Sequence, residues 1–539
     1  MTVDQNDPRV QAAVEAYNKG DLNQEAALLE PLLAEHPDDH NLLQRLGAVE
    51  AQRGKFDAAI THLERARKIE PEESRVLLML GTVYKKTGRL DDAIECFEKL
   101  LELDPEMAEV HVNLGEVRLA NGDADAGRAS YEKAIALKPD FIEALSKLAA
   151  LDEHEHRFEE AHAVARRAVE LAPDHGQANI TLARVALRMG KPQQAYQQLE
   201  WLILNVPLNA FDTSMALYLI GQTKDKMGEY DKAFAAYEGA NNALHGVHEA
   251  SLASTSSVLL PEFLRKLHRF FETEDISAWT KPKKVEEPAP VFLLGFPRSG
   301  TTLLDQILKA HSAVVTLEEK ENLFDARNEL LLRDGALERL GSMTDDEINH
   351  HRKNYWLRVH KELKNKKADG VIVDKLPLNT ALLGLIYRLF PEAKIIFAMR
   401  DPRDVVLSCF QQRFGINAAM FQFLKLESAA AYYDQVMLLG EICRTHMPLN
   451  LHVIRYEDVV MDMQKTISDL LAFLELEWED GILDYRGQAR ERWISTPSAE
   501  QVVEPLYTSS IGKWRNYQRY MEPVLPVLEP WVKKYGYDE

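Results

Sequence analysis

Glycine and proline recur through the first half of this chain with a fixed period of 34 residues. Gly47, Gly81 and Gly115 form one series. Gly54, Gly88 and Gly122 form a second, which resumes at Gly190. Pro37, Pro71, Pro105, Pro139, Pro173 and Pro207 form a third. Ala59 and Ala93 recur as Ala161 and Ala195, with Gly127 between them. Each position has a physical role in a stacked helix pair. A small residue on the first helix lets the second approach closely. The turn glycine takes the left-handed conformation that ends a helix. The proline stops the second helix and begins the next unit.

This pattern resembles the tetratricopeptide repeat (TPR), with about seven units over residues 6–247 and the first of them degenerate. The last unit, marked by Gly221, Gly228, Ala233, Tyr237 and Ala240, is displaced in phase by four residues. The expected fold of residues 1–250 is an all-α TPR solenoid. Its concave face would take a protein or an extended peptide. The alternative is an array that only buttresses the second domain or forms a homo-oligomer. Residues 1–250 hold 27 Lys and Arg against 43 Asp and Glu, or −16 of the chain's −21. That acidity argues against a nucleic-acid partner and suits a basic or neutral polypeptide. It also keeps a long helical array soluble.

With 46% hydrophobic and 28% charged residues, the 539-residue chain is not disordered as a whole. Three cysteines give no disulfide framework and no zinc pair. The opening MTVDQNDPRV is polar and acidic, unlike a signal peptide, and the longest apolar runs are strand-sized. These features point to a cytoplasmic protein with no membrane partner. Residues 251–290 read as a junction, with one helix over Leu259–Phe271 and the connector TKPKKVEEPAP.

Residues 291–539 open with a buried strand, Val291–Gly295. The turn Gly295-Phe-Pro297-Arg298-Ser299-Gly300-Thr301-Thr302 follows, and then the helical LLDQILKAH. Strand, glycine turn and helix aim successive backbone N–H groups at an anion. The glycine spacing matches the nucleotide loop G-x-x-x-x-G-K-[ST], but Thr301 stands where that loop has lysine. A triphosphate loses its main side-chain clamp there, which disfavours a nucleotide hydrolase. Arg298 offers a guanidinium to a less charged group instead. Further strands near 371–374, 394–399 and 451–454, with helices between, predict a P-loop-like α/β domain with a parallel sheet.

Other candidates lie beside those strands. Lys375 follows a buried strand and faces the carboxyl edge, where ligands bind. Asp401 and Pro402 suit a helix start. Arg400 and Ser408 then converge on a phosphate, unless Arg400 pairs with Asp401 or Asp404. Glu319 of Leu317-Glu318-Glu319, directly after the first helix, reads by itself as a solvated helix start, since acids favour a first turn. Tyr456 follows a strand. Ser498, Lys513 and Trp514 lie in a Ser/Thr-rich stretch that reads as a mobile flap.

FPRSGTTLLDQIL resembles the 5′-phosphosulfate loop of sulfotransferases that use 3′-phosphoadenosine 5′-phosphosulfate (PAPS). It is most similar to the tyrosylprotein sulfotransferases, and five blocks carry the resemblance across residues 291–520. It implies that Pro297, Arg298, Ser299, Gly300, Thr301 and Thr302 bind the 5′-phosphosulfate, and that Arg400 and Ser408 bind the 3′-phosphate. It implies Lys375 on the bridging oxygen, Glu319 as base, Ser498 on the sulfuryl group, Lys513 on a phosphate, Trp514 beside it and Tyr456 near the adenine. His311 falls outside the small-molecule sulfotransferases' histidine position and reads as structural. The reaction is expected to need no metal, with PAP as product. The chain looks like bacterial fusions of TPR units to a sulfotransferase domain. The array would recruit a polypeptide carrying a tyrosine. The alternatives are a glycan or small-alcohol acceptor, or a non-catalytic scaffold that binds nucleotide.

Overall fold

A computed structural model describes residues 3, 7–252, 255–283, 288–363, 370–490 and 508–537. It divides into two compact units, Met1–Pro207 and Leu208–Glu539. Among the described residues the first unit is a run of twelve helices, from Pro8–Asn18 to Pro192–Asn205, each packed on the next. The spacing of small and large residues is a packing constraint. A Cβ on Gly81 would lie 2.6 Å from the Phe97 ring, one on Gly115 2.6 Å from Tyr131, and one on Gly47 2.5 Å from Leu63. The large residue of the second helix fills the space that the glycine of the first leaves open.

The turn series has one informative exception. Gly54, Gly88, Gly122 and Gly190 all have positive φ, and at the missing member His156 takes φ 60°. The turn imposes the left-handed backbone on whatever residue occupies it.

The four-residue phase displacement is one added helical turn. Helix Ala210–Lys226 has 17 residues, where the first helices of the preceding repeats have 13 or 14. Its partner, Tyr230–Leu252, has 23. This last repeat packs with the second unit. Phe234 stacks on Tyr520 and Phe410 at 4.0 and 5.1 Å between centroids, and Asn241 Nδ2 donates to the Phe410 carbonyl at 2.9 Å. Its sequence belongs to the repeats, while its hydrophobic contacts belong to the α/β unit.

The second unit is built on a parallel sheet of β1 (Val291–Gly295), β2 (Val314–Glu318), β3 (Val371–Lys375), β4 (Lys394–Met399) and β5 (Asn450–Arg455). The order is β2-β3-β1-β4-β5. Phe292, Leu294, Ile395 and Phe397 join the core on one face, and Val291, Leu293, Ile396 and Ala398 join the core on the other. Burial on both faces is why these strands read as unbroken apolar runs. The junction helix spans Pro261–Thr273 and buries Leu264, Leu267 and Phe271. One strand differs from expectation. Residues 314–318 intervene between the first helix and Glu319 as β2, paired with β3 from Val314↔Val371 to Glu318↔Lys375. As an edge strand that is only partly buried, it lacks the apolar run that marks its neighbours.

Among the described residues no helix is long and apolar enough to cross a membrane. The packing argument has a direct test. Gly81→Ala is expected to cost about 1–3 kcal/mol through overpacking against Phe97. A urea melt measures this, and the double variant Gly81→Ala/Phe97→Leu should recover part of the loss.

Candidate active site

The chain leaves each of the five strands at the carboxyl edge, and at each exit stands a candidate residue. Gly295 closes β1 under a tight constraint: a Cβ there would lie 2.6 Å from the Ala398 carbonyl oxygen of β4. Thr380 Oγ1 accepts from the Gly295 N–H at 3.1 Å and donates to its carbonyl at 2.8 Å, locking the strand end. The loop then turns through Ser299 N–H to Phe296 carbonyl at 3.1 Å. Arg298 has φ 71°, a costly conformation for a residue with a side chain. Gly300, at φ 91°, begins helix Thr301–Lys309, and among the described residues no side chain caps that end. The positive pole of the helix and the loop amides therefore face the sheet edge together. A Cβ on Gly300 would meet Tyr456 at 2.8 Å, so the loop lies close against the residue that follows β5.

Arg298, Ser408, Arg400 and Tyr456 form one cluster. Arg298 Nε donates to Ser408 Oγ at 3.0 Å. Arg400, at the exit of β4, donates to the Arg298 carbonyl at 3.3 Å and to the Ser510 carbonyl at 2.6 Å. Its guanidinium lies over the Tyr456 ring at 4.8 Å, and its buried Nε has no hydrogen-bond partner among the described residues. Arg400 forms no ion pair with the neighbouring acids. Asp401 instead caps helix Pro402–Gln411 and pairs with Arg403 at 2.7 Å. Asp404 accepts from the Gly512 and Trp514 N–H groups at 2.6 and 2.8 Å. Two arginines, a hydroxyl and a helix start are thus gathered at the carboxyl edge, all of them groups that favour negative charge.

Glu319 and Lys375 form the second cluster. Lys375, at the end of β3, is fully buried, and its Nζ lies 3.0 Å from Glu319 Oε1 and 3.7 Å from Glu318 Oε1. Glu319 N–H donates to the Lys375 carbonyl at 2.8 Å, which turns the chain after β2 with φ 52° at Glu319. Glu319 keeps about a third of its side chain in contact with solvent. Burial raises Asp305 and Glu318 above the usual carboxylate range, with the Lys375 charge opposing it. Beneath them Asp374 is wholly buried and pushed up to about 6 by desolvation. Asn322 Nδ2 and Tyr355 OH each donate to its Oδ2 at 3.0 Å. Asn322 lies three residues beyond Glu319, so Asp374 helps hold the loop that carries Glu319.

The remaining candidates are placed differently. Trp514 is buried under Arg403, 4.4 Å from its ring, and Lys513 Nζ pairs with Asp225 at 2.7 Å. Among the described residues neither is hydrogen-bonded directly to the two clusters. Ser498 lies outside the described residues. His311 is structural, as expected: one ring nitrogen donates to the Glu477 carbonyl at 2.9 Å and the other accepts from Ala313 N–H at 3.0 Å. Nothing in the sequence signalled these roles for Asp374, Asp404 or Asp225, although Asp404 stood as a possible partner of Arg400. A polar residue inside the β3 run was the available signal for Asp374.

Residues 290–480 match the sulfotransferase family. Residues 38–106, 78–140, 153–210 and 216–242 match tetratricopeptide repeats. The chain therefore joins TPR units to a sulfotransferase-family domain. An uncharacterized protein of Aquifex aeolicus (strain VF5) is 29% identical over 351 residues, covering 62% of this chain and 44% of that protein. Protein-tyrosine sulfotransferase 1 of Danio rerio is 27% identical over 270 residues, covering 46% of this chain and 72% of that protein. The chain thus spans less than half of the Aquifex relative's length. A solved tetratricopeptide repeat protein from Parabacteroides merdae aligns over 44% of this chain and 91% of its own, with 18% identity and a TM-score of 0.40.

The Asp374 network of this domain yields a pH prediction. A carboxyl raised to about 6 in the fold binds more protons there than in the unfolded chain, so stability falls as pH rises from about 4 to 6. Asp374→Asn should flatten that decline in urea melts taken across this range.

Proposed function

We propose that the chain is a PAPS-dependent sulfotransferase that transfers a sulfuryl group to an acceptor hydroxyl. The observation that carries the reading is the convergence at one sheet edge. The phosphate loop with Arg298, the Arg400–Ser408 pair and the Glu319–Lys375 pair all meet there, within residues matched to the sulfotransferase family. PAPS supplies the sulfuryl group when bound.

In this reading the loop amides, Arg298 and the start of helix Thr301–Lys309 bind the 5′ end of the donor. Arg400 and Ser408 bind the 3′-phosphate, with Tyr456 beside the adenine. Glu319, partly open to solvent, accepts the acceptor's hydroxyl proton as general base. Lys375 lies beside it and, with Arg298, offsets charge that builds on the leaving phosphate. The family resemblance supports Lys513 on a donor phosphate with Trp514 beside it, and the role it implies for Ser498 falls on a residue outside the described ones. Cations of the chain itself supply this charge balance.

Relatives named as protein-tyrosine sulfotransferases support a tyrosine hydroxyl as acceptor. The −16 charge of residues 1–250 supports a basic or neutral polypeptide as the substrate that the repeats recruit. Incubation with 35S-labelled PAPS and a panel of tyrosine peptides, glycans and phenols tests both points. A labelled peptide is the expected product. Label on a glycan alone would redirect the acceptor assignment, and no label on any hydroxyl would refute transfer. Glu319→Gln should abolish turnover while PAP still binds. Arg298→Ala should lower turnover by about 10²–10³, the usual size for loss of one electrostatic stabiliser.

A further inference from the structure

We propose that Asp225, on the last repeat helix, is a positioning residue for the donor site and acts through Lys513 and Tyr517. The proposal rests on the sulfotransferase reading above and assigns that site a component from the repeats. Asp225 lies in the last turn of helix Ala210–Lys226, within the second compact unit. One carboxylate oxygen accepts from Lys513 Nζ at 2.7 Å, and the other accepts from the Tyr517 hydroxyl. Lys513 and Tyr517 begin and end a single turn, Lys513–Tyr517, so one carboxylate grips both ends of it.

The same stretch of chain is fixed at two further places. Asp404 holds the Gly512 and Trp514 amides, and the left-handed Gly512, φ 71°, directs both at it. Ser510 accepts from Arg400 through its carbonyl at 2.6 Å, and its hydroxyl lies 2.8 Å from the Tyr456 hydroxyl. Residues 510–517 are therefore stretched between two proposed donor-binding side chains and the repeat helix. The repeat is firmly seated for this task. Tyr230 packs edge-on against Tyr517 at 5.3 Å, and Asp231 accepts from the Tyr520 hydroxyl at 2.9 Å. A lysine side chain is flexible, and an ammonium held by a fixed carboxylate is preorganised. Asp225 thereby sets where Lys513 and the stretch behind it stand when a phosphate arrives.

Calorimetric titration of the full chain with PAP, together with steady-state kinetics, tests this. Asp225→Ala should weaken PAP binding about tenfold, the scale of one charge-assisted hydrogen bond. It should raise the donor KM and leave the acceptor KM unchanged. Lys513→Met should do the same, and the double variant should lose no more than either alone, because the two residues act as a unit. Asp225→Glu should recover most of the affinity. If Asp225→Ala does not fold, the isosteric Asp225→Asn carries the same expectations. PAP affinity within about twofold of wild type, or tighter, would overturn the proposal. Additive losses in the double variant, or acceptor and donor KM rising together, would overturn it as well. Wild-type protein that fails to bind PAP would instead overturn the sulfotransferase reading.

Discussion

The approach of β4 to the end of β1 decides where the chemistry of this protein can be placed. With a Cβ excluded at Gly295 by the Ala398 carbonyl, the two strands stay paired to the edge of the sheet. Their following loops then leave side by side. That adjacency puts Arg298 next to Ser408 and lets Arg400 reach back to the Arg298 carbonyl. A parallel sheet directs all its strand exits to one edge, so β2, β3 and β5 add Glu319, Lys375 and Tyr456 to the same border.

Backbone strain marks the same places. Among the described residues four non-glycine positions have positive φ: His156, Arg298, Glu319 and Glu475. His156 occupies a repeat turn and Glu475 ends helix Met463–Leu474, so both are helix terminations. Arg298 and Glu319 terminate no helix. The Arg298 carbonyl accepts from Arg400 and the Glu319 N–H donates to the Lys375 carbonyl, and both are residues that the proposed chemistry needs. Strain of this kind persists only where the surroundings over-determine it. Here the Ser408 and Arg400 contacts on Arg298 and the Lys375 carbonyl on Glu319 N–H do so.

The two halves of the chain were legible for different reasons. The repeats announce themselves because each glycine must face one large side chain in its own unit, and that local pairing is copied every 34 residues. β1 and β4 were legible because both faces are buried. β2 escaped because an edge strand with partly exposed residues shows neither an apolar run nor a clean alternation. The Arg400 environment could not be read locally, since Asp401 and Asp404 lie within four residues yet turn to Arg403 and to the amides of Gly512 and Trp514. The Asp225–Lys513 pair spans 288 residues, and no periodicity or motif reports a contact of that range. The division of the chain shows the same limit. Sequence similarity groups the last repeat with its siblings, while stacking of Phe234 on Tyr520 and Phe410 joins it to the α/β unit.

The central claim is that the sheet edge recognises an adenosine carrying separate 5′ and 3′ phosphates. Calorimetry on the purified protein tests it most directly by comparing PAP with AMP and with ATP and magnesium. The account predicts a clear heat of binding for PAP, a weaker one for AMP, and none for ATP with magnesium. A signal with ATP and magnesium, and none with PAP, would contradict it.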